Sequence, residues 1–188
     1  WMKIFSRLNV ISRRQGKRRM RCLNEGALSF RFPDGWQICK YDDTSFQKEH
    51  FNSFAGGSKG VDFVALSPEA VVWLIEVKDY RSRRRQKPMD LFLELAQKVR
   101  ATLSGLVVLA RREENPDAFF AQSALAPATA IRIVLHLEQP HFPSKLFPWL
   151  VDPKNLQDKL KQSLRPVDPH PLGGNSAILN GKVPWVVS

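Results

Sequence analysis

Two short apolar runs set the frame within which the rest of the chain must fold. Val61–Leu66 (VDFVAL) and Val71–Lys78 (VVWLIEVK) are rich in β-branched and aromatic residues, with Ser67-Pro68-Glu69-Ala70 between them. They are expected as neighbouring antiparallel strands. Side chains along a strand alternate between faces, so Glu76 and Lys78 project together. Ile75 and Val77 project to the other, apolar face, where the helix layer is expected. Directly opposed residues of an antiparallel pair share a face, so Asp62 meets Glu76 when paired residue numbers sum to 138. That register needs a loop of odd length, Pro68–Ala70 or Ser67–Val71, and both sizes are allowed in hairpins. A four-residue loop would turn Asp62 to the opposite face. An odd loop is predicted.

The flanks fill in an α/β pattern. Leu28–Phe32 reads as a strand, Pro33-Asp34-Gly35 as a turn, and Trp36–Tyr41 as the partner of that strand. Thr44-Ser45-Phe46-Gln47 has the form of a capping box opening a short helix through Phe51, and residues 56–60 form a glycine-rich connection. From Pro88 to about Arg112, Leu91, Leu95, Val99, Leu103, Leu106, Val107 and Ala110 recur at helical spacing. Asn115-Pro116 is expected to open a second helix, and Ile131–Leu137 is a further strand. After it, residues 139–188 carry eight of the 13 prolines. Asp152-Pro153 opens a helix there, with Leu156, Leu160 and Leu164 on one stripe. The expected organisation is a basic arm over 1–24, a core over 25–138, and a Pro-rich extension over 139–188 packed on the same core as an irregular cap.

Charge localises the expected contacts. There are 29 Lys and Arg against 18 Asp and Glu, a net charge of +11. Residues 1–24 hold eight cations and no acid, and Arg81, Arg83, Arg84, Arg85 and Lys87 form a second cluster. Two such patches on an otherwise balanced chain suit a polyanion, so nucleic acid is the expected partner. The longest apolar stretch, Ala70–Ile75, is far below the ~20 residues of a membrane span, and no secretory signal is visible. Cys22 and Cys39 make no disulfide framework, so a cytoplasmic setting is expected. The four histidines are scattered, and GxGxxG, GxxxxGK[ST] and GxSxG are absent.

Asp62 and Glu76, converging beside Lys78, offer hard oxygen donors suited to Mg²⁺ or Mn²⁺. A plain ion pair on a sheet is the simpler use of the same residues. Gly60-Val61-Asp62-Phe63-Val64-Ala65-Leu66, followed by a hairpin and Leu74-Ile75-Glu76-Val77-Lys78, resembles the PD-(D/E)XK nuclease superfamily, with its restriction endonucleases and Holliday-junction resolvases. Val61 stands where the proline of the name would be. The resemblance implies a restriction-endonuclease-like αβββαβ core and a metal-dependent nuclease acting on DNA. In it Asp62 and Glu76 would hold Mg²⁺ or Mn²⁺, the carbonyl of Val77 would complete the shell, and Lys78 would be catalytic. It also implies a homodimer, a further acid among Glu25, Asp42, Asp43 and Glu49, and a possible glutamine at Gln97. The cations Arg81, Arg83, Arg84, Arg85 and Lys87 would grip flanking phosphates. Two other readings stay open: a nucleic-acid-binding module that keeps this fold without cutting, and a basic structural or partner-binding protein.

Overall fold

The computed structural model describes residues 20–112, 114–127 and 130–188. In chain order the elements are β1 (Arg21–Glu25), β2 (Leu28–Phe32), β3 (Gln37–Lys40), β4 (Phe63–Leu66), β5 (Val71–Asp79), α1 (Leu91–Leu109), α2 (Ala118–Ala124), β6 (Ala130–Glu138), α3 (Pro153–Leu164), β7 (Leu172–Gly174), α4 (Ser176–Leu179) and β8 (Val186–Val187). The protein is a mixed α/β structure with two sheets, ordered β1-β2-β8 and β3-β4-β5-β6-β7. Most of the basic arm expected over 1–24 lies outside the described residues, and its end is strand β1. No helix among the described residues is long and apolar enough to cross a membrane.

Alternation along β4, β5 and β6 produces the layers. Val64, Leu66, Val72, Leu74, Ile133, Leu135 and Leu137 face one way, onto α1 and α3. Phe63, Ala65, Trp73, Ile75, Val77 and Val134 face the other, onto Leu28, Phe30 and Phe32 of the small sheet and onto Trp36 and Trp185. The large sheet is thus covered on both faces, which is why its central strands read as nearly continuous apolar runs. This corrects the expected placement of the helix. α1 packs on the face of Leu74, Glu76 and Lys78, while Ile75 and Val77 pack on the small sheet. An apolar face told the sequence reading that something covered it, but not whether that was a helix or a sheet.

The hairpin register is the expected one. Phe63 opposes Ile75 and Leu66 opposes Val72, so the sums are 138; an odd number of residues, Ser67–Val71, separates the last opposed pair, and the Ser67 N–H donates to the Val71 carbonyl at 2.9 Å. The first predicted hairpin is not formed. β2 pairs with β1 and β8, and β3 pairs with β4, so the Pro33–Gly35 turn carries the chain from one sheet to the other. Thr44 does cap the next segment, its Oγ1 accepting from the Gln47 N–H at 3.2 Å, but Gln47–Phe51 is a π-turn. Asn115 accepts from the Asp117 N–H at 2.9 Å and α2 begins later, at Ala118.

The segment after Glu138 is less irregular than its prolines suggest. α3 starts as expected, with Asp152 accepting from the Lys154 N–H at 2.9 Å and Leu156, Leu160 and Leu164 buried. β7 then adds a parallel edge strand beside β6, at positions where Gly173 leaves room for Leu160 and Leu156. Two buried acids pin this segment. Asp168 Oδ2 accepts from the Ile133 N–H at 2.8 Å, and Glu138 Oε1 accepts from the N–H and hydroxyl of Ser176 at 2.8 and 2.6 Å.

One close approach fixes α1 against the turn at Tyr41, whose ring is 1% exposed. A Cβ at Gly105 would lie 2.1 Å from the Tyr41 hydroxyl oxygen, with the next ring carbon at 3.4 Å. That hydroxyl has no hydrogen-bond partner. Gly105→Ala is therefore expected to destabilise by about 1–3 kcal/mol through overpacking, although alanine is the better helix former. In a Tyr41→Phe background the obstacle is gone, and the same substitution should stabilise by about 1 kcal/mol. Urea denaturation of the four proteins checks this, and a loss of equal size in both backgrounds would sink it.

Candidate functional site

The C-terminal half of β5 ends its apolar run with two polar residues on the α1 side, and α1 answers with two of its own. Glu94 and Lys98 lie one turn apart on the face that also buries Leu91, Leu95, Val99 and Thr102. The result is a chain of alternating charges. Lys98 Nζ lies 3.7 Å from Asp62 Oδ1 and 2.7 Å from Glu76 Oε1. Lys78 Nζ lies 2.5 Å from Glu76 Oε1 and 3.9 Å from Glu94 Oε1. Glu94 in turn pairs with Arg85 at 2.6 Å and with Lys87. Asp62 Oδ2 is tied to β5 by accepting from the Val77 N–H at 2.6 Å.

The structure thus brings together the three predicted side chains, Asp62, Glu76 and Lys78, and adds Lys98 and Glu94, which sequence reasoning missed. Val77 participates through its N–H. The ammonium of Lys98 stands between the two carboxylates, where Mg²⁺ or Mn²⁺ was expected, and no group of three or more His, Cys, Asp or Glu side chains gathers among the described residues. Of the candidate further acids, Glu25 and Asp43 are engaged by Lys40 at 3.1 and 3.0 Å, and Glu49 is exposed. Asp42 alone feels the cluster: burial raises its carboxyl and Lys98 pulls it back. Gln97 is exposed on α1 and lines a cavity beside Lys98.

Burial dominates the electrostatics. Asp62 and Glu76 are 5% and 1% exposed, and desolvation pushes both carboxyls above their ordinary range. Glu76 is raised further by the charge of Asp62, with Lys98 and Lys78 opposing. For Lys78 burial works downward, but Glu76 outweighs it and raises the ammonium overall. Burial would raise Glu94 too, yet its bonds from Lys87 and Arg85 hold it at about 2. Glu76 Oε2 is buried without a hydrogen-bond partner.

The basic loop follows directly, and most of its charge is already employed. Arg81 pairs with Asp79 at 2.6 Å. Arg84 donates to the carbonyls of Lys145 and Leu146, and Arg85 donates to the Tyr80 hydroxyl at 3.2 Å and to the Met89 carbonyl at 2.8 Å. Arg83 has no hydrogen bond or ion pair among the described residues and is exposed. Lys78, Arg83, Arg84, Arg85 and Lys87 line a groove of about 540 Å³, facing Glu25 and Asp79.

Among curated proteins, a cysteine–tRNA ligase of Neisseria meningitidis serogroup A is 34% identical to this chain over 178 residues, taking in 77% of the chain and 25% of the ligase. The chain thus spans about a quarter of the length of the relative it matches. No family model matches the sequence, and no solved structure matches it. The similarity overturns the nuclease expectation. The relative is a tRNA ligase, not a PD-(D/E)XK enzyme or a Mg²⁺-dependent deoxyribonuclease, and it lends nothing to DNA as the partner or to a homodimer. The Asp…Glu-x-Lys spacing describes a charge-compensated cluster closed by Lys98.

Two carboxylates with raised folded values bind protons more readily in the native state, so they oppose folding increasingly as pH climbs above the ordinary carboxylate range. Glu94 acts oppositely: its contribution is full above about 4.5 and fades as pH falls towards about 2. Lys98→Met removes the ammonium that restrains Asp62 and Glu76. It should destabilise by about 3–5 kcal/mol at pH 8 and by clearly less at pH 5, measured by urea denaturation. A loss of the same size at both pH values would remove Lys98 from that role.

Proposed function

We propose that this chain is a nucleic-acid-binding domain that holds RNA of the tRNA class by its phosphate backbone in the groove between Lys78 and Lys87. The observation that carries the reading is that groove, where five cations face two carboxylates. Its floor is stiff, because Lys78, Arg85 and Lys87 are positioned by Glu76 and Glu94 from beneath. Its rim is adaptable. Arg83 is exposed, and the adjoining Arg81–Asp79 pair is of the kind that contributes about 0–1 kcal/mol and yields easily to a phosphate. Arg and Lys at such a rim set position and affinity and carry no base identity.

The similarity to a tRNA ligase supports RNA as the ligand. In topology the sheet, with α1 between β5 and β6, supports a restriction-endonuclease-like core used as a binding scaffold. A cytoplasmic setting is in keeping with such a ligand and with the free thiols of Cys22 and Cys39. Asp62 and Glu76 keep donor oxygens suited to a hard cation, so Mg²⁺ or Mn²⁺ would enter there only in exchange for the Lys98 ammonium. When bound, it would neutralise the two carboxylates in place of that ammonium.

Binding of a tRNA transcript, followed across a salt series by filter retention, tests the reading. The affinity should fall steeply with salt, and Arg83→Ala/Lys87→Ala should flatten the log–log slope by about 1.4–1.8, the counterion equivalent of two lost phosphate contacts. Absence of binding at low salt, or an unchanged slope in the double variant, would overturn it.

A further inference from the structure

Beside the basic groove lies a second feature that phosphate contacts do not use. Residues 139–151 (QPHFPSKLFPWLV) form a compact loop whose ends are drawn together by one side chain. Gln139 accepts through Oε1 from the N–H groups of Leu150 and Val151 at 2.8 and 3.1 Å, and donates through Nε2 to the Val151 carbonyl at 3.0 Å. Ser144 and Phe147 tie the tip, with contacts of 3.1 and 3.0 Å, and Pro140, Pro143 and Pro148 restrict the backbone further. The loop is ordered by its own bonds, as in a compact Ω-type loop. It presents apolar groups outward: Phe142 is 82% exposed, Leu146 70% and Trp149 41%.

Exposure on this scale in a preorganised loop is unusual for residues that only pack. The Trp149 indole is fixed at one edge, its Nε1–H donating to the Pro140 carbonyl at 2.9 Å. Phe142 has the His141 ring behind it at 4.6 Å, tilted by 35°. Arg84 clamps the loop to the basic segment through the carbonyls of Lys145 and Leu146. A smaller pocket of about 180 Å³ joins Trp149 and Phe147 to Tyr80, Arg83, Arg84 and Arg85. Those last four residues also line the phosphate groove. The groove therefore runs from a row of cations onto Phe147 and the fixed indole of Trp149.

Cations that track a backbone beside aromatic faces that accept bases are the two parts of a single-strand site. A base-paired helix hides its base faces and would meet only the cations. We propose that Trp149, at the end of this groove, is a base-stacking platform selecting an unpaired RNA segment whose phosphates lie along Arg83–Lys87. This inference rests on the RNA-binding reading above and adds to it the class of RNA strand recognised.

The test compares the full chain's affinity for three ligands of equal length and charge: a single-stranded oligoribonucleotide, the same strand with abasic sites, and a hairpin RNA closed by a non-nucleotide linker so that every base is paired. The single strand should bind best, and the abasic strand should bind about 5- to 150-fold more weakly, as expected for one lost stacked base. Trp149→Ala should weaken the single strand by a similar factor, with less than about a twofold change for the hairpin. Arg83→Ala should weaken all three. Equal affinity for intact and abasic strands overturns the platform while leaving backbone binding intact. Loss of hairpin and single-strand binding alike in the Trp149 variant also overturns it. No binding of any of the three removes the RNA-binding reading itself.

Discussion

A carboxylate at 1% exposure governs the middle of this molecule. Glu76 sits where β5 leaves the apolar core, and an ion so placed needs compensation or it takes up a proton. The fold supplies two ammoniums, Lys78 from the same strand and Lys98 from α1. Meeting that demand fixes more than charge. It sets the rotation of α1 about its axis, because Lys98 must reach Glu76 while Leu95 and Val99 stay in the core. It also sets the register of the hairpin, because Asp62 must reach both the Val77 N–H and Lys98. A buried ion set of this kind is poor evidence of stability for its own sake, since apolar replacements often do as well. Its physical effect here is to specify one arrangement of helix on sheet, since a slipped register would leave an acid unmatched.

The cluster also reaches the surface. Glu94 joins the buried lysines to Arg85 and Lys87, so the first charges of the groove are held from beneath by the core. Cations fixed in this way lose little side-chain entropy on meeting a phosphate, whereas a mobile lysine pays that ordering when it binds. The exposed guanidinium of Arg83 then adds reach beyond the fixed row.

The parts of the fold that were legible in the sequence are those that rest on local parity. The register of β4 on β5 follows from strand alternation and an odd loop, and the Asp152 cap followed from residue type and position. The partner of Leu28–Phe32 was not legible. One of its neighbours, β1, is the charged end of a basic run, and the other, β8, lies more than 150 residues along the chain. Lys98 and Glu94 were hidden by the way a helix face was chosen. Collecting only apolar residues gave Leu91, Leu95, Val99 and Leu103, yet the buried face also contains Glu94, Lys98 and Thr102 at the same three- and four-residue intervals. Polar residues on a face that geometry requires to be buried were the available signal.

The same omission explains why the chemistry was misread. Two acids and a lysine on paired strands suggest a metal centre as long as the two negative charges lack a counterion. A second lysine brought in by the helix changes the count to two carboxylates and two ammoniums, a set that is neutral without a metal. A motif written along one hairpin cannot state its own charge balance, because the balancing group comes from a different element. Here the similarity to a tRNA ligase overturns the nuclease reading, and Lys98 supplies the charge that the hairpin motif left unbalanced. The charge left over after compensation lies outside the core, on Arg83 and its neighbours, where a polyanion can reach it.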